Sequence, residues 1–559
     1  MAQKRHRTSL IFDLLPSSLS SLEFGPRLGK VTLQRHGDSA VLEIATPSII
    51  TSTSRGVVPH LSRDTTRATE AIYWAHVPFE SFLERDPPVP TLQQSPHPLH
   101  KFLGFLPHRH ILSMSLRDPF DAREMPPNGH DSVSAYCIRG MRKVKPNDWR
   151  KHVLACNPDI VVALSDIPFT PEPHSQKRMT KSIERTAVWL ANLLQPIPVE
   201  DEDEDAEEDA PNPPSRLNVF VHMAGGTVTA ARAAFSQSLM EPLYEHEASH
   251  VEPFKSLDEG VAGYTFDLVP LHKSLSTPAP TPAPSAPFDV ESTVSALEPT
   301  PNVPSPATTA RVVPLMHTSL APLPKKKLRI VNSASSPHEM LLLIRDVGID
   351  AFDAHWAQRA ADIGVALDFA FPVPPSSVVD GMQKKGLGHN LYDARYAHDF
   401  SPFSDTFHPS RDAHDDARPV CACIACSPKH PTHAIHHSFL DGPTLALLPP
   451  TAPPPDPVSR AYTHHLLHTH EMSAHALLAS HNIFVLDLFF SGIRHVLRDR
   501  PDEFAREVDR FLQAYDEALV VFEEAKHCWA EVEMARGKGR LAREREKQQE
   551  DTLGTAVEL

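Results

Sequence analysis

Two observations predict an α/β chain folded as a (βα)8 TIM-type barrel. Short apolar runs alternate with amphipathic helical stretches, and the units are too many for a small open sheet. The runs are "AVLEIATPSIIT" (40–51), "HILSMSLRD" (110–118), "DIVVALSD" (159–166), "RLNVFVHM" (216–223), "GYTFDLVPL" (263–271), "LRIVNS" (328–333) and "VALDFAFP" (365–372). Between several of them lie helical patterns such as "SQKRMTKSIERTAVWLANLL" (175–194) and "AARAAFSQSLMEPLYEH" (230–246). A third observation, an almost wholly helical sequence after residue 458, adds a C-terminal helical part to this frame.

In chain order, residues 1–24 form an N-terminal tail whose apolar part is too short and serine-broken for a signal peptide or membrane span. No uninterrupted apolar run of about 18 residues follows, so no integral membrane segment is expected. The barrel is expected over 25–420, with insertions at about 199–214 and 274–310. The first holds "VEDEDEDAEEDA" (199–210) and the second a Pro/Ser/Thr/Ala tract; neither has the apolar density to offset its ordering entropy. With 56 prolines in 559 residues, much of the length must be linker. The net charge of −16, nine units of it in that acidic run, argues against a surface that wraps nucleic acid throughout, while leaving room for a local basic patch.

One unit is legible in detail. Ser336 can cap a helix that starts at Pro337, has Glu339 at its third position and stops at Gly348. "IDAFDAHW" (349–356) is then the next strand, and in a barrel its end is an active-site position. The C-terminal helical part divides into 421–500, interrupted by an insertion at 427–459 that contains "LPPTAPPPDP", and 501–559, a further helix and a charged tail.

Six cysteines in so long a chain make no disulfide framework, which points to a reducing compartment. Cys137, Cys156 and Cys528 are scattered, whereas Cys421, Cys423 and Cys426 fall within "CACIAC". Cys-x-Cys-x-x-Cys gathers three soft ligands and suits tetrahedral Zn2+ with one ligand to be found. On the helix downstream, periodicity places His464, His468 and His475 on one face, read as solvated, and His470 and His481 on the apolar side. Geometry alone leaves His470 and His481 as alternatives for the fourth ligand.

"CACIAC" followed by "RAYTHHLLHTHEMSAHALLASHN" (460–482) resembles the zinc subdomain of the tRNA-guanine transglycosylase family. The resemblance puts Cys421, Cys423, Cys426 and His481 in the ligand positions of one structural zinc ion. In the family the third cysteine lies only a few residues before Arg-Ala-Tyr; here 427–459 intervene. "GPRLGKVTL", "TSRGVVPHLSRDT", "HILSMSLRDP", "NPDIVVALSD" with "KRMTKSIERTAVWL", "GIDAFD" and "YAHDFSPF" follow the family's order over roughly 25–500, closer to its eukaryotic non-catalytic subunits than to its catalytic ones. The resemblance implies a (βα)8 barrel with an inserted zinc-binding, helical C-terminal subdomain.

Catalytic members of that family use an aspartate nucleophile, a second aspartate as acid/base and a Gly-rich base pocket. Here "AIYWAHVPFESFLE" (71–84) lacks the Asp-Ser-Gly-Gly-Phe-Gln pattern, and "DEGVAGYTFDLVPL" (258–271) lacks the paired glycines. Asp353 falls at the nucleophile position, but "AHWAQRAADIG" after it supplies no Pro-Thr-Arg run, so Asp353 is read as a vestige and no catalytic or cofactor-binding residue is assigned. The resemblance therefore implies an accessory subunit of queuine tRNA-ribosyltransferase. It would pair as a heterodimer with a catalytic subunit that exchanges guanine for queuine at the wobble position of tRNAs with GUN anticodons, meeting tRNA through the complex. The alternative is a self-sufficient homodimeric transglycosylase with Asp353 as nucleophile. Cytoplasmic location, with peripheral contact to the mitochondrial outer membrane, is the expected setting.

Overall fold

The computed structural model describes residues 8–533 apart from 17–21, 36–39, 122, 124, 169–173, 198–215, 277–305, 375–383, 410–417 and 431–454. The acidic run, nearly all of the Pro-rich tract and the charged tail beyond 533 lie outside the described residues. Strands β1 (Thr8–Leu14), β2 (Gly29–Arg35) and β3 (Val41–Thr46) form an antiparallel sheet in that order. β4 (Ser48–Ser52), β5 (Trp74–Pro78) and β6 (Ile111–Ser115) begin a parallel barrel. After β6 the chain makes a hairpin, β7 (Val133–Cys137) and β8 (Gly140–Val144), and returns for β9 (Ile160–Val162), β10 (Val219–His222), β11 (Val261–Asp267), β12 (Leu328–Asn332) and β13 (Ala351–Asp353). β13 pairs with β4 and closes the ring of eight strands.

The small sheet has a physical task. Val31, Leu33 and Ile44 from its inner face share one core with Ile50, Trp74, Ile111, Ile160, Phe220, Leu328, Ile330 and Ala351. Most of these barrel residues stand at the starts of their strands, so the sheet stoppers the N-terminal mouth. Burying this apolar set removes it from water at roughly 25 cal/mol per Å2. The C-terminal mouth is left as the end where loops can build a site.

The structure departs from the sequence reading in four places. "AVLEIATPSIIT" is two strands, because Pro47 has no N–H for a ladder: β3 stays with the small sheet and β4 enters the barrel. β5 lies in "AIYWAHVPF", which the apolar-run pattern passed over although its five residues are all buried. "VALDFAFP" supplies only β14 (Val365–Leu367), which pairs antiparallel with β15 (Gly388–Asn390) outside the barrel, since β13 and β4 have used its last edge. A helix, Pro306–Leu320, also starts inside the tract assigned to 274–310.

Helix Pro337–Val347 forms as its local signals dictate. Ser336 accepts the Glu339 N–H at 3.3 Å, and Gly348, at φ 74°, donates to the carbonyls of Leu343 and Ile344. The Glu339 carboxylate takes the N–H of Ser335 (2.8 Å) rather than that of the cap residue, and a second bond from His272 Nε2 at 2.9 Å. The helical C-terminal part is Arg460–His468, Met472–Asp499, Phe504–Ala514 and 520–533. The last two are separate because Lys385 accepts and donates backbone bonds to Asp516 and Ala514, and Asp516 then caps the next helix. Helix Met472–Asp499 is long and apolar enough, at mean hydropathy 1.6, to cross a membrane by composition, but 61% of its most apolar window is buried inside the protein. It is a core helix, packed on helix His355–Asp362, β14 and β4.

Candidate metal centre

The three thiols converge because their backbone is folded into one tight turn. Cys421 N–H pairs with His408 O (2.9 Å), Ser427 N–H with Cys423 O (2.9 Å), and Ser427 Oγ with Cys421 O (2.7 Å). The turn also aims the Cys426 N–H at Cys423 Sγ, 3.2 Å away. All three cysteines are buried, as is His481, which projects from the core-facing side of helix Met472–Asp499. Val458, shortly after the described chain resumes at 455, donates to Ala425 O at 2.9 Å, so the chain on either side of 431–454 meets at this turn.

His481 Nδ1 stands 3.6, 3.6 and 3.5 Å from the sulfurs of Cys421, Cys423 and Cys426. A tetrahedral ion with Zn–S of about 2.3 Å and Zn–N of about 2.0–2.1 Å requires N···S edges of about 3.6 Å. Three near-equal distances of that length fit a shared ion; one hydrogen bond among three thiols would favour a single partner. The far ring nitrogen agrees, because Nε2 donates to Leu367 O at 2.9 Å, which leaves Nδ1 as the lone-pair donor. Asn482 holds that carbonyl's strand in place: its Oδ1 accepts from Leu367 N–H (2.9 Å), and its Nδ2 donates to Val365 O (2.9 Å) and Ala357 O (3.2 Å). Phe403 closes the site edge-on to the imidazole, 5.3 Å between ring centres. Burial raises the Cys421 thiol above its ordinary range, whereas at Cys423 burial is outweighed by hydrogen bonds from the Cys421 and Cys426 thiols, which hold it well below.

His470 is not in this group. It lies in the left-handed turn between two helices, at φ 60°, with Nδ1 3.4 Å from the Glu533 carboxylate. Of the trio read as solvated, His468 is exposed, whereas His464 and His475 are half-buried and bonded to Leu391 O (2.9 Å) and Ala361 O (3.0 Å). His433, His436 and His437 lie outside the described residues.

A second cluster, Asp368, His389 and Asp405, brings its donor atoms within 4.8 Å of one another. Cations already occupy it: Arg460 reaches Asp405 (2.7 Å) and His389 (3.0 Å), and Lys385 reaches Asp368 (3.3 Å). Arg460 also binds Asp399 at 3.2 Å, which joins "RAY" to "YAHDFSPF". This ion network runs from buried Asp368 and Arg460 out to exposed Asp405 and ties these segments together, and sequence reasoning gave it no role.

At the C-terminal mouth, Asp353 ends β13 and is 2% exposed. Its carboxylate accepts the N–H groups of Ser333 and His355. Burial, with Asp267 and Asp118 nearby, pushes it up to about 8. Phe120 stacks on His355, and Ser333 Oγ donates to Pro119 O at 3.3 Å, so the loop after β6 lies across the mouth over Asp353. Asp267, ending β11, accepts from Asn332 (2.8 Å) and lies 3.2 Å from His222. His76, in the "AIYWAHVPF" strand, is held between Ser113 Oγ (3.0 Å) and Ser115 Oγ (2.9 Å), and burial lowers it to about 4. Gly225 and Gly226, at φ 118° and 53°, turn the chain after β10; the sequence reading missed them, although Gly-Gly after an apolar run is a legible turn signal.

The chain matches the queuine tRNA-ribosyltransferase family over residues 23–253, 301–448 and 456–517. It is 24% identical over 501 residues to "Queuine tRNA-ribosyltransferase accessory subunit 2" of Schizosaccharomyces pombe, covering 89% of this chain and 83% of that protein. The protein of the same name from Xenopus tropicalis is 24% identical over 498 residues (86% and 96%), and that from Gallus gallus 23% over 490 (85% and 92%).

Proposed function

Because this chain belongs to the queuine tRNA-ribosyltransferase family, we propose that it is the non-catalytic accessory subunit of such an enzyme, paired with a catalytic homologue that carries out the exchange of guanine for queuine at the tRNA wobble position. The observation that carries the accessory reading is at the barrel mouth. A nucleophile must be ionised and open to its substrate. Asp353 is buried, holds its proton near neutral pH and is covered by Pro119 and Phe120. Its neighbour Asp267 faces His222, 3.2 Å away, and is not a second carboxylate free to act as acid/base beside it.

Cys421, Cys423, Cys426 and His481 would hold one Zn2+ in this reading. The ion would be structural: four protein donors leave no open position for water or substrate. Its chemistry is to link the cysteine turn to the core helix. Free thiols in this number fit a reducing cytoplasmic setting. Contact with the mitochondrial outer membrane would be peripheral.

The test is guanine exchange on tRNA by the purified chain alone, by the catalytic homologue alone, and by the two together. The expected result is exchange only when both are present, in a complex whose native mass is that of one copy of each. Exchange by the chain alone, abolished by Asp353→Asn, would replace this reading with the self-sufficient homodimer.

A further inference from the structure

We propose that the β7–β8 hairpin is a direct contact surface for the sugar-phosphate backbone of the tRNA, contributed by this subunit. The proposal rests on the accessory reading and names a partner surface within it.

The chain is acidic, at −16, yet "IRGMRKVKPNDWRK" (138–151) holds six basic residues and one acidic. Arg150 is spent on the carbonyls of Gln195 and Pro196. The other five, Arg139, Arg142, Lys143, Lys145 and Lys151, are exposed. Among the described residues, Arg139 and Lys143 have no acidic group within ion-pair distance, and Arg142 makes one long bond, 3.4 Å, to Leu83 O. Lys145 is 3.7 Å from Asp131 and Lys151 3.8 Å from Asp148, contacts between largely exposed groups that are worth little and exchange easily for a phosphate.

Support and placement complete the case. The ribbon is in continuous register from Val133 opposite Val144 to Cys137 opposite Gly140. Arg117, just past β6, donates to Ser134 O at 2.7 Å, and Glu80, just past β5, accepts the Tyr136 N–H at 3.2 Å. The hairpin is therefore fixed to the ends of two barrel strands and presents its cations at the C-terminal face. The mouth itself carries the carboxylates of Asp267 and Asp118, which disfavour a phosphate there. The rim, and not the mouth, is the place for a polyanion. An anionic lipid surface is the weaker match, because only Ile138, 62% exposed at the tip, could enter an apolar phase. Each cation that neutralises a phosphate releases condensed counterions, which gives a quantity to measure.

The experiment measures tRNA binding by the intact complex of this chain and its catalytic homologue, at several salt concentrations. Variant R139A/K143A is compared with wild type and with K325A/K326A, which removes two exposed lysines at the opposite end of the barrel. The expected result is weaker binding by R139A/K143A at low salt, with the slope of log Kobs against log[salt] shallower by about 1.4, ~0.7 per phosphate contact on single-stranded RNA. The control should match wild type, and the native mass of all three complexes should be the same. Equal affinity and slope for R139A/K143A and wild type would overturn the proposal. Loss of the heterodimer in that variant would also overturn it, assigning the hairpin to the protein partner. A wild-type complex that binds tRNA no better than the catalytic homologue alone would instead count against the accessory reading.

Discussion

His481 acts at both ends of its ring: Nδ1 faces three sulfurs and Nε2–H is committed to Leu367 O. Asp353 shows the opposite use of burial, where removal from water leaves a carboxyl neutral. Its sign is definite. An unfolded aspartate titrates near 3.9, and this one is raised to about 8, so its contribution to stability is full below the unfolded value and is lost as pH rises through the folded one. Asp353→Asn keeps the shape and removes the titration. Its melting temperature should approach that of wild type as pH falls to about 3.9, the unfolded value, and exceed it above the folded value of about 8 in thermal denaturation. A pH-independent difference would show that the carboxyl is not held neutral. At this scale the sequence was partly legible. Three thiols within six positions announce themselves, but periodicity could not separate His470 from His481. That reading assumed one continuous helix, and the left-handed His470 breaks its phase.

Elements were legible in proportion to how locally they are determined. Helix Pro337–Val347 has its start and stop written in Ser336, Pro337 and Gly348, and it forms between them. The fate of "VALDFAFP" depends on whether a distant edge is already taken, and no window of sequence contains that information. Helix Met472–Asp499 adds a constraint of its own. At Gly492 a Cβ would come within 1.6 Å of Phe371 O, which is backbone and cannot turn aside. Gly492→Ala must push the core helix away from the 371–372 segment, against the usual helix preference for alanine of about 1 kcal/mol. The expected outcome is destabilisation by ~3 kcal/mol or more in chemical denaturation, the scale of overpacking. A neutral or stabilising result would mean the helix can shift freely.

Across the whole molecule, the metal centre gathers parts far apart in sequence. The cysteine turn, β14 through Leu367, the loop carrying Phe403 and the long core helix all meet there. Loss of the ion should therefore loosen the helical part first and leave the core under β1–β3, which contains no residue of the site, until last. Cys423→Ser is expected to lose bound zinc by elemental analysis and to lower the first melting transition by ~5 °C or more, since structural zinc adds its binding free energy to folding. Full metal content and an unchanged melt would refute the four-donor assignment. The barrel was legible from alternation alone, and the sheet that stoppers it was not, because β1 and β2 show their purpose only when the strand ends they cover are assembled.

The bond from Val458 N–H to Ala425 O fixes two points far apart in sequence beside each other at the cysteine turn. Between two anchors held this close, doubling the length of a flexible connection costs only about 0.6 kcal/mol of closure entropy. A connection of almost any length therefore suits this point of the framework, and a reporter group could be spliced there with the cysteine turn serving as the clasp.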